Sequence, residues 1–134
     1  MASWEQIRRI ALEMPGSSER ESRGRAQWRV GERLFVWERP LRAGEIKELG
    51  NGAPTGPILG ARVEHVGAKE ALLADAPDVF FTTSHFRGVA AVLIRLDSIG
   101  LEDLEEAIVE AWLARAPARL AKAYVEANLP PRED

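Results

Sequence analysis

Between Phe80 and Leu120 the apolar positions change period twice, passing through two strand patterns and two helix patterns with sharp boundaries. Val79 to Thr83 reads as a strand, and Ser84 to Gly88 as the loop that follows it. Val89 to Leu96 is apolar at both parities, the pattern of a central strand covered on both faces. Leu101, Leu104, Ala107, Ile108, Ala111 and Trp112 then recur at helical spacing. Glu102, Asp103, Glu105 and Glu106 sit near the positive end of that helix and Arg115 near its negative end. Pro117 suits the first turn of a second helix through Leu120, Ala121, Tyr124 and Val125. Phe80, Phe81, Leu93, Ile94, Trp112 and Tyr124 are the expected core, and 128–134 is expected to be a frayed tail.

The first half has weaker periodicity. Ser3 and Gln6 form a capping-box pattern ahead of Trp4, Ile7, Ala11 and Met14, a helix stopped by Pro15 and Gly16. The polar stretch SSERESRGR leads into AQWRV and RLFVWER, a hairpin turned at Gly31 and Glu32. In its second arm strict alternation puts Leu34 and Val36 on one face and Phe35 and Trp37 on the other. AGEIKEL is a short helix, GNGAPTGP a loop, Ile58 to Val66 a strand and AKEALLADA a short helix or turn. The sum is one α+β domain over 1–134. It has a five-stranded, mainly antiparallel sheet, its apolar face buried by the N-terminal helix and the two C-terminal helices.

Length and composition allow this, since 134 residues with 46% hydrophobic and 29% charged content can bury a core of their own. No apolar run approaches the roughly 20 residues of a membrane-spanning helix, and the charged first helix does not resemble a signal peptide, so a cytoplasmic location away from membranes is expected. Without cysteine the chain has no disulfide, thiolate metal site or cysteine nucleophile. Its two histidines lack metal-ligand spacing, and GNGAPTG matches no phosphate loop, so neither metal nor cofactor is expected.

The net charge is -3, but from Arg20 to Arg42 seven Arg face three Glu. Arg20, Arg23, Arg25, Arg29 and Arg33 bracket the hairpin, where guanidinium groups can neutralise phosphates while Trp28 or Trp37 stacks on a base or packs on sugar. The spacing of Arg29 and Arg33 across the short turn can bring them onto one edge, depending on a register that the sequence alone does not determine. The bland alternative is that these arginines pair with neighbouring Glu and that the tryptophans are core. The Ser84-His85-Phe86-Arg87 loop is a second candidate, able to offer an imidazole and a guanidinium to a phosphate or carboxylate, or simply to be turn chemistry. Adjacent Ser84 and His85 point apart on extended backbone and have no orienting acid, which argues against nucleophilic catalysis.

Three blocks carry a family resemblance: Met14-Pro15-Gly16 with the hairpin RVGERLFVWE; FFTTSHFRG at Phe80 to Gly88; and VLIRLDSIGLEDLEEAIVEAWLARAPARL with Trp112 and Ala116-Pro117-x-Arg119-Leu120. In these the chain resembles the MmcQ/YjbR family of small bacterial proteins. The resemblance implies an antiparallel sheet with helices on one side, similar to secretion chaperones, and a DNA-binding label with two projecting hairpins. It implies no catalytic residue. Gly100 stands where the family often has a side-chain helix cap. The expectation is a non-enzymatic binding protein with sequence-tolerant DNA contacts at Arg25, Arg29, Arg33 and Arg87, and with Trp37 and His85 as further ligand contacts. The other class is a protein or peptide adaptor using an apolar strand face around Phe35 and Trp37.

Overall fold

A computed structural model describes residues 2–128. Six strands form one antiparallel sheet: β1 (Ser17–Ser22), β2 (Arg25–Val30), β3 (Arg33–Glu38), β4 (Ile58–Arg62), β5 (Phe80–Phe81) and β6 (Ala91–Arg95), in the order β1-β2-β3-β4-β6-β5. The helices are α1 (Trp4–Glu13), α2 (Ala43–Leu49), α3 (Val66–Asp75), α4 (Leu101–Arg115) and α5 (Ala118–Asn128). The α+β class, the antiparallel sheet and the terminal helices match the expectation from periodicity. Of the expected tail, Asn128 closes α5 and 129–134 lie outside the described residues.

The sheet has one strand more than expected. SSERES is β1, paired residue for residue with β2 from Ser17↔Val30 to Ser22↔Arg25. Its burial pattern shows why periodicity missed it: Ser17 is half-buried, and the other five residues are exposed. With neither face in the core, the strand needs no apolar alternation. Its turn is also unusual, because Arg23 (φ 52°) and Gly24 (φ 77°) both adopt left-handed backbone, the geometry of a tight two-residue hairpin.

β3 corrects a second expectation. Trp28 pairs with Val36 but Arg29 with Leu34, so Phe35 is an extra, bulged residue. Phe35 and Val36 therefore both enter the main core, each fully buried, instead of facing opposite ways. That core fills the sheet face toward α1 and α4, where Ile7, Trp28, Leu59, Ile94, Ile108 and Trp112 meet. α5 adds Leu120 and Tyr124 to it, and α3 adds Leu72 and Leu73.

The opposite face carries a smaller cluster of Ile58, Phe81, Ala91 and Leu93, covered by Phe86, Leu41, Leu49 and Val89. β6 supplies Val92 and Ile94 to one cluster and Ala91 and Leu93 to the other, as its unbroken apolar run requires. Trp37 lies on this second face, half-buried, with its ring across Gly60 of β4 and 6.4 Å from the Phe86 ring. A Cβ at Gly60 would overlap the Trp37 indole, and both are held by the β3–β4 pairing Trp37↔Gly60. Gly60→Ala is expected to cost about 1–3 kcal/mol, read as a lower urea midpoint; Trp37→Ala in the same chain should recover part of it.

Helix α1 starts with both bonds of the capping box, Gln6 N–H to Ser3 Oγ at 3.2 Å and Ser3 N–H to Gln6 Oε1 at 2.9 Å. At α4 the Gly100 cap makes no side-chain bond. Its acidic first turn, Glu102 and Asp103, complements the helix end instead.

Candidate functional site

Alternation along β1 and β2 divides the arginine-rich segment between two faces. Trp28 and Val30 point to the core, so Arg25, Gln27 and Arg29 point outward, and the pairings Arg20↔Gln27 and Ser22↔Arg25 put Arg20 on the same outer side. Arg20 and Arg25 are exposed and Arg29 is half-buried. Arg20 pairs with Glu32 at 2.9 Å and Arg25 with Glu38 at 3.7 Å. Arg29 spends its hydrogen bonds on neutral groups, the Glu32 carbonyl (2.9 Å) and Gln27 Oε1 (3.1 Å). The Arg20 hydrogen bond and charge, assisted by Arg29, hold the Glu32 carboxyl below the usual carboxylate range. The outer face thus keeps one positive charge in excess, and Arg23 in the turn adds another.

Arg33 does not join this group. It pairs with Val30, so it leaves the sheet on the helical side, toward the end of α4. Trp28 is core, 2% exposed, with its Nε1–H donating to Glu19 Oε1 at 3.0 Å, and is not a stacking platform. The apolar strand face expected at Phe35 and Trp37 is absent as an open surface, because the bulge buries Phe35 and Gly60 and Phe86 cover part of Trp37.

Arg87 and His85 are exposed on the loop after β5, separate from the β1–β2 hairpin. The loop is fixed from beneath by a buried ionic network. Arg39, at the end of β3, donates to both oxygens of Glu45 in α2 at 2.9 and 3.0 Å. Thr83 Oγ1 donates to Glu45 Oε2 at 2.7 Å, and the Arg42 N–H to Oε1 at 3.0 Å. Burial pushes the Glu45 carboxyl up, but the bonds from Arg39, Arg42 and Thr83 outweigh it and hold the group at about 2.

Three further contacts complete the anchorage. Lys69 of α3, buried, donates to the Phe86 and Val89 carbonyls at 2.6 and 3.0 Å, and burial lowers its pKa. Ser84 Oγ donates to Glu48 Oε1 at 2.7 Å. The Arg39 guanidinium lies 5.2 Å from the centre of the Phe86 ring, and the His85 ring stands nearly perpendicular to Phe86 at 5.0 Å. Ser84 is thus engaged by Glu48, and the FFTTSHFRG block is an anchored loop with His85 and Arg87 on its outer side. Among the described residues no three His, Asp or Glu side chains are grouped to hold a metal, and no helix is long and apolar enough to cross a membrane.

A family model for YjbR matches residues 12–114, which takes in the hairpins, the anchored loop and nearly all of α4. The chain belongs to the YjbR family. The chain is similar to the uncharacterized proteins Rv2570 of Mycobacterium tuberculosis (strain H37Rv) and Mb2600 of Mycobacterium bovis. Each is 46% identical over 128 residues, covering 93% of this chain and 97% of the relative. A crystal structure of Deinococcus radiodurans protein DR2400, a DUF419 domain, superposes with a TM-score of 0.66 over 97% of this chain and 91% of that one. At 19% identity that likeness shows a shared fold. It confirms the YjbR fold expected from the sequence blocks, with six strands in place of five.

Proposed function

We propose that this YjbR protein is a non-catalytic binding protein that takes a phosphate backbone, with duplex DNA as the model partner, on the outer face of β1 and β2. The observation that supports this is the register that lines up Arg20, Arg25 and Arg29 on one solvent-facing side with Arg23 at its tip. Guanidinium groups on an exposed strand pair can each neutralise a phosphate oxygen without reading a base, so the binding is weak and sequence-tolerant. The ion pairs to Glu32 and Glu38 are solvent-exposed and exchange readily for phosphate contacts. Arg33 and Arg87 stand apart from this face. Glu45 is occupied by Arg39, Thr83 and the Arg42 N–H and is not free to act as a base, which is in keeping with a non-enzymatic role.

Fluorescence polarisation of a short labelled duplex across a salt series tests the proposal. With three phosphates neutralised, log K should fall against log salt with a slope of roughly -2.7. Arg20→Ser, Arg25→Ser and Arg29→Ser together should weaken binding at least tenfold while circular dichroism stays unchanged. Unchanging polarisation at low salt rules the proposal out, as does a triple variant that binds like the parent.

A further inference from the structure

On the helical side of the sheet α4 lies over β3 and β4, and α3 over β5 and β6, so a crevice is left between the two helices above the β4–β6 pairing. The Ala61↔Val92 pair is its floor. Leu72 and Ala76 of α3 wall one side and Ala107 of α4 the other, all three half-buried. Small side chains at 61, 76 and 107 account for its depth, and about 210 Å³ stays unfilled. Asp103, Glu106 and Glu110 form the rim; they recur at i, i+3 and i+7 along the side of α4 that carries Ala107, and all three are exposed. Every ion pair among the described residues uses other carboxylates, those of Glu19, Glu32, Glu38 and Glu45. α3 supplies no cation to the crevice, because its one basic residue, Lys69, is spent on the Phe86 and Val89 carbonyls. Arg62 borders one end, but its pairing with Ala91 of the opposite-face cluster turns its side chain away from the helices.

An apolar hollow gains free energy when a hydrocarbon body displaces its water, and carboxylates at its mouth decide which charge that body can carry. We infer that the crevice between α3 and α4 binds a compact amphipathic cation, a primary ammonium on a single aromatic ring or a short branched alkyl group. Its volume is smaller than the roughly 300–1,000 Å³ of sites for drug-sized ligands, which sets the limit on the body. The ring enters over Ala61 between Leu72 and Ala107, while the ammonium stays at the mouth beside Glu106 and Glu110 and keeps part of its hydration. An anionic ligand with the same body meets three like charges. The site lies on the other side of the sheet from the outward-facing arginines of β1 and β2 and selects the opposite charge, so it stands independently of the DNA-binding reading.

Titration of the methyl-labelled full chain with phenethylammonium at neutral pH and constant ionic strength, following the Val63, Leu72 and Val92 methyl signals, tests the site. The expected result is saturable movement of these signals, with 2-phenylethanol binding roughly fivefold more weakly and phenylacetate not saturating. Glu106→Gln with Glu110→Gln changes two exposed side chains and should weaken phenethylammonium by roughly fivefold while the melting temperature holds. Ala107→Leu fills the crevice and should abolish the titration in a chain that stays folded by circular dichroism. Arg25→Ser with Arg29→Ser should leave the titration unaltered, so failure of the DNA reading leaves this result intact. Methyl signals that drift without saturating, phenylacetate or 2-phenylethanol binding as tightly as the ammonium, or a Glu106→Gln, Glu110→Gln chain that titrates like the parent each overturn the inference. So does a concentration-dependent dimer that Ala107→Leu makes monomeric, because a second copy of the chain is then the occupant.

Discussion

Glu45→Ala is expected to destabilise the fold by about 3–5 kcal/mol, because it leaves the Arg39 guanidinium buried without its counter-charge. Arg39 and Glu45 have side-chain exposures of only 10% and 7%, so water cannot replace the lost bonds. The same deletion strands Thr83 Oγ1 and the Arg42 N–H, both of which donate to Glu45. Chemical denaturation at neutral pH reads the loss directly. Arg39→Met combined with Glu45→Leu should recover part of it, since no charge is then left alone in the interior; a double variant as unstable as Glu45→Ala would refute this account.

The pH dependence follows with a definite sign. Glu45 titrates at about 2 in the folded chain against an ordinary value of 4.5, so its contribution is complete above about 4.5 and disappears as the pH falls toward 2. The difference corresponds to about 3 kcal/mol, and Glu45→Gln should flatten the acid limb of the stability curve across that interval. An acid limb unchanged by Glu45→Gln would show that the carboxylate is not the group responsible.

Trp112→Ala is the second large effect. Trp112 is fully buried in α4 and reaches across 97 residues of sequence to donate its Nε1–H to the Pro15 carbonyl at 2.9 Å. Its ring also lies 5.2 Å from that of Tyr124, so one side chain ties the turn after α1 to both C-terminal helices. Truncation should cost about 3–5 kcal/mol through the cavity and the orphaned carbonyl. For a domain of this size that lowers the melting temperature by roughly 10–20 °C. Trp112→Phe keeps most of the ring and should cost less than the alanine variant. Equal melting temperatures for Trp112→Ala and the parent would mean the indole is not the tie that its contacts indicate.

The parts of this fold that were legible from sequence are those where burial imposes a period. β6 was readable because both its faces are covered, and α4 because one stripe meets the sheet while the rest is charged. β1 was not, since a solvated edge strand has no burial pattern to display. The bulge at Phe35 was equally hidden: it depends on how β2 and β3 pair in three dimensions, and the residues RLFVWE alternate no differently with or without it.

The candidate sites were legible unevenly. Arg25 and Arg29 fell on one face as period-two spacing requires. The side taken by Arg33 depends on the register of the hairpin, and the Val30↔Arg33 pairing places it on the core side with Val30. In the same way FFTTSHFRG was recognisable as a unit, but its anchors come from α2 and α3, and Glu45 lies 38 residues from the Thr83 it holds.

The two margins of the sheet have a consequence for the behaviour of this molecule at high concentration. One outermost strand, Ser17–Ser22, is polar throughout and alternates acidic and basic side chains; the other, Phe80–Phe81, is two residues long. A second copy docking by strand addition would have to desolvate charges at the first margin and would find too few free peptide groups at the second. Templated fibril growth by strand addition is therefore disfavoured at either boundary.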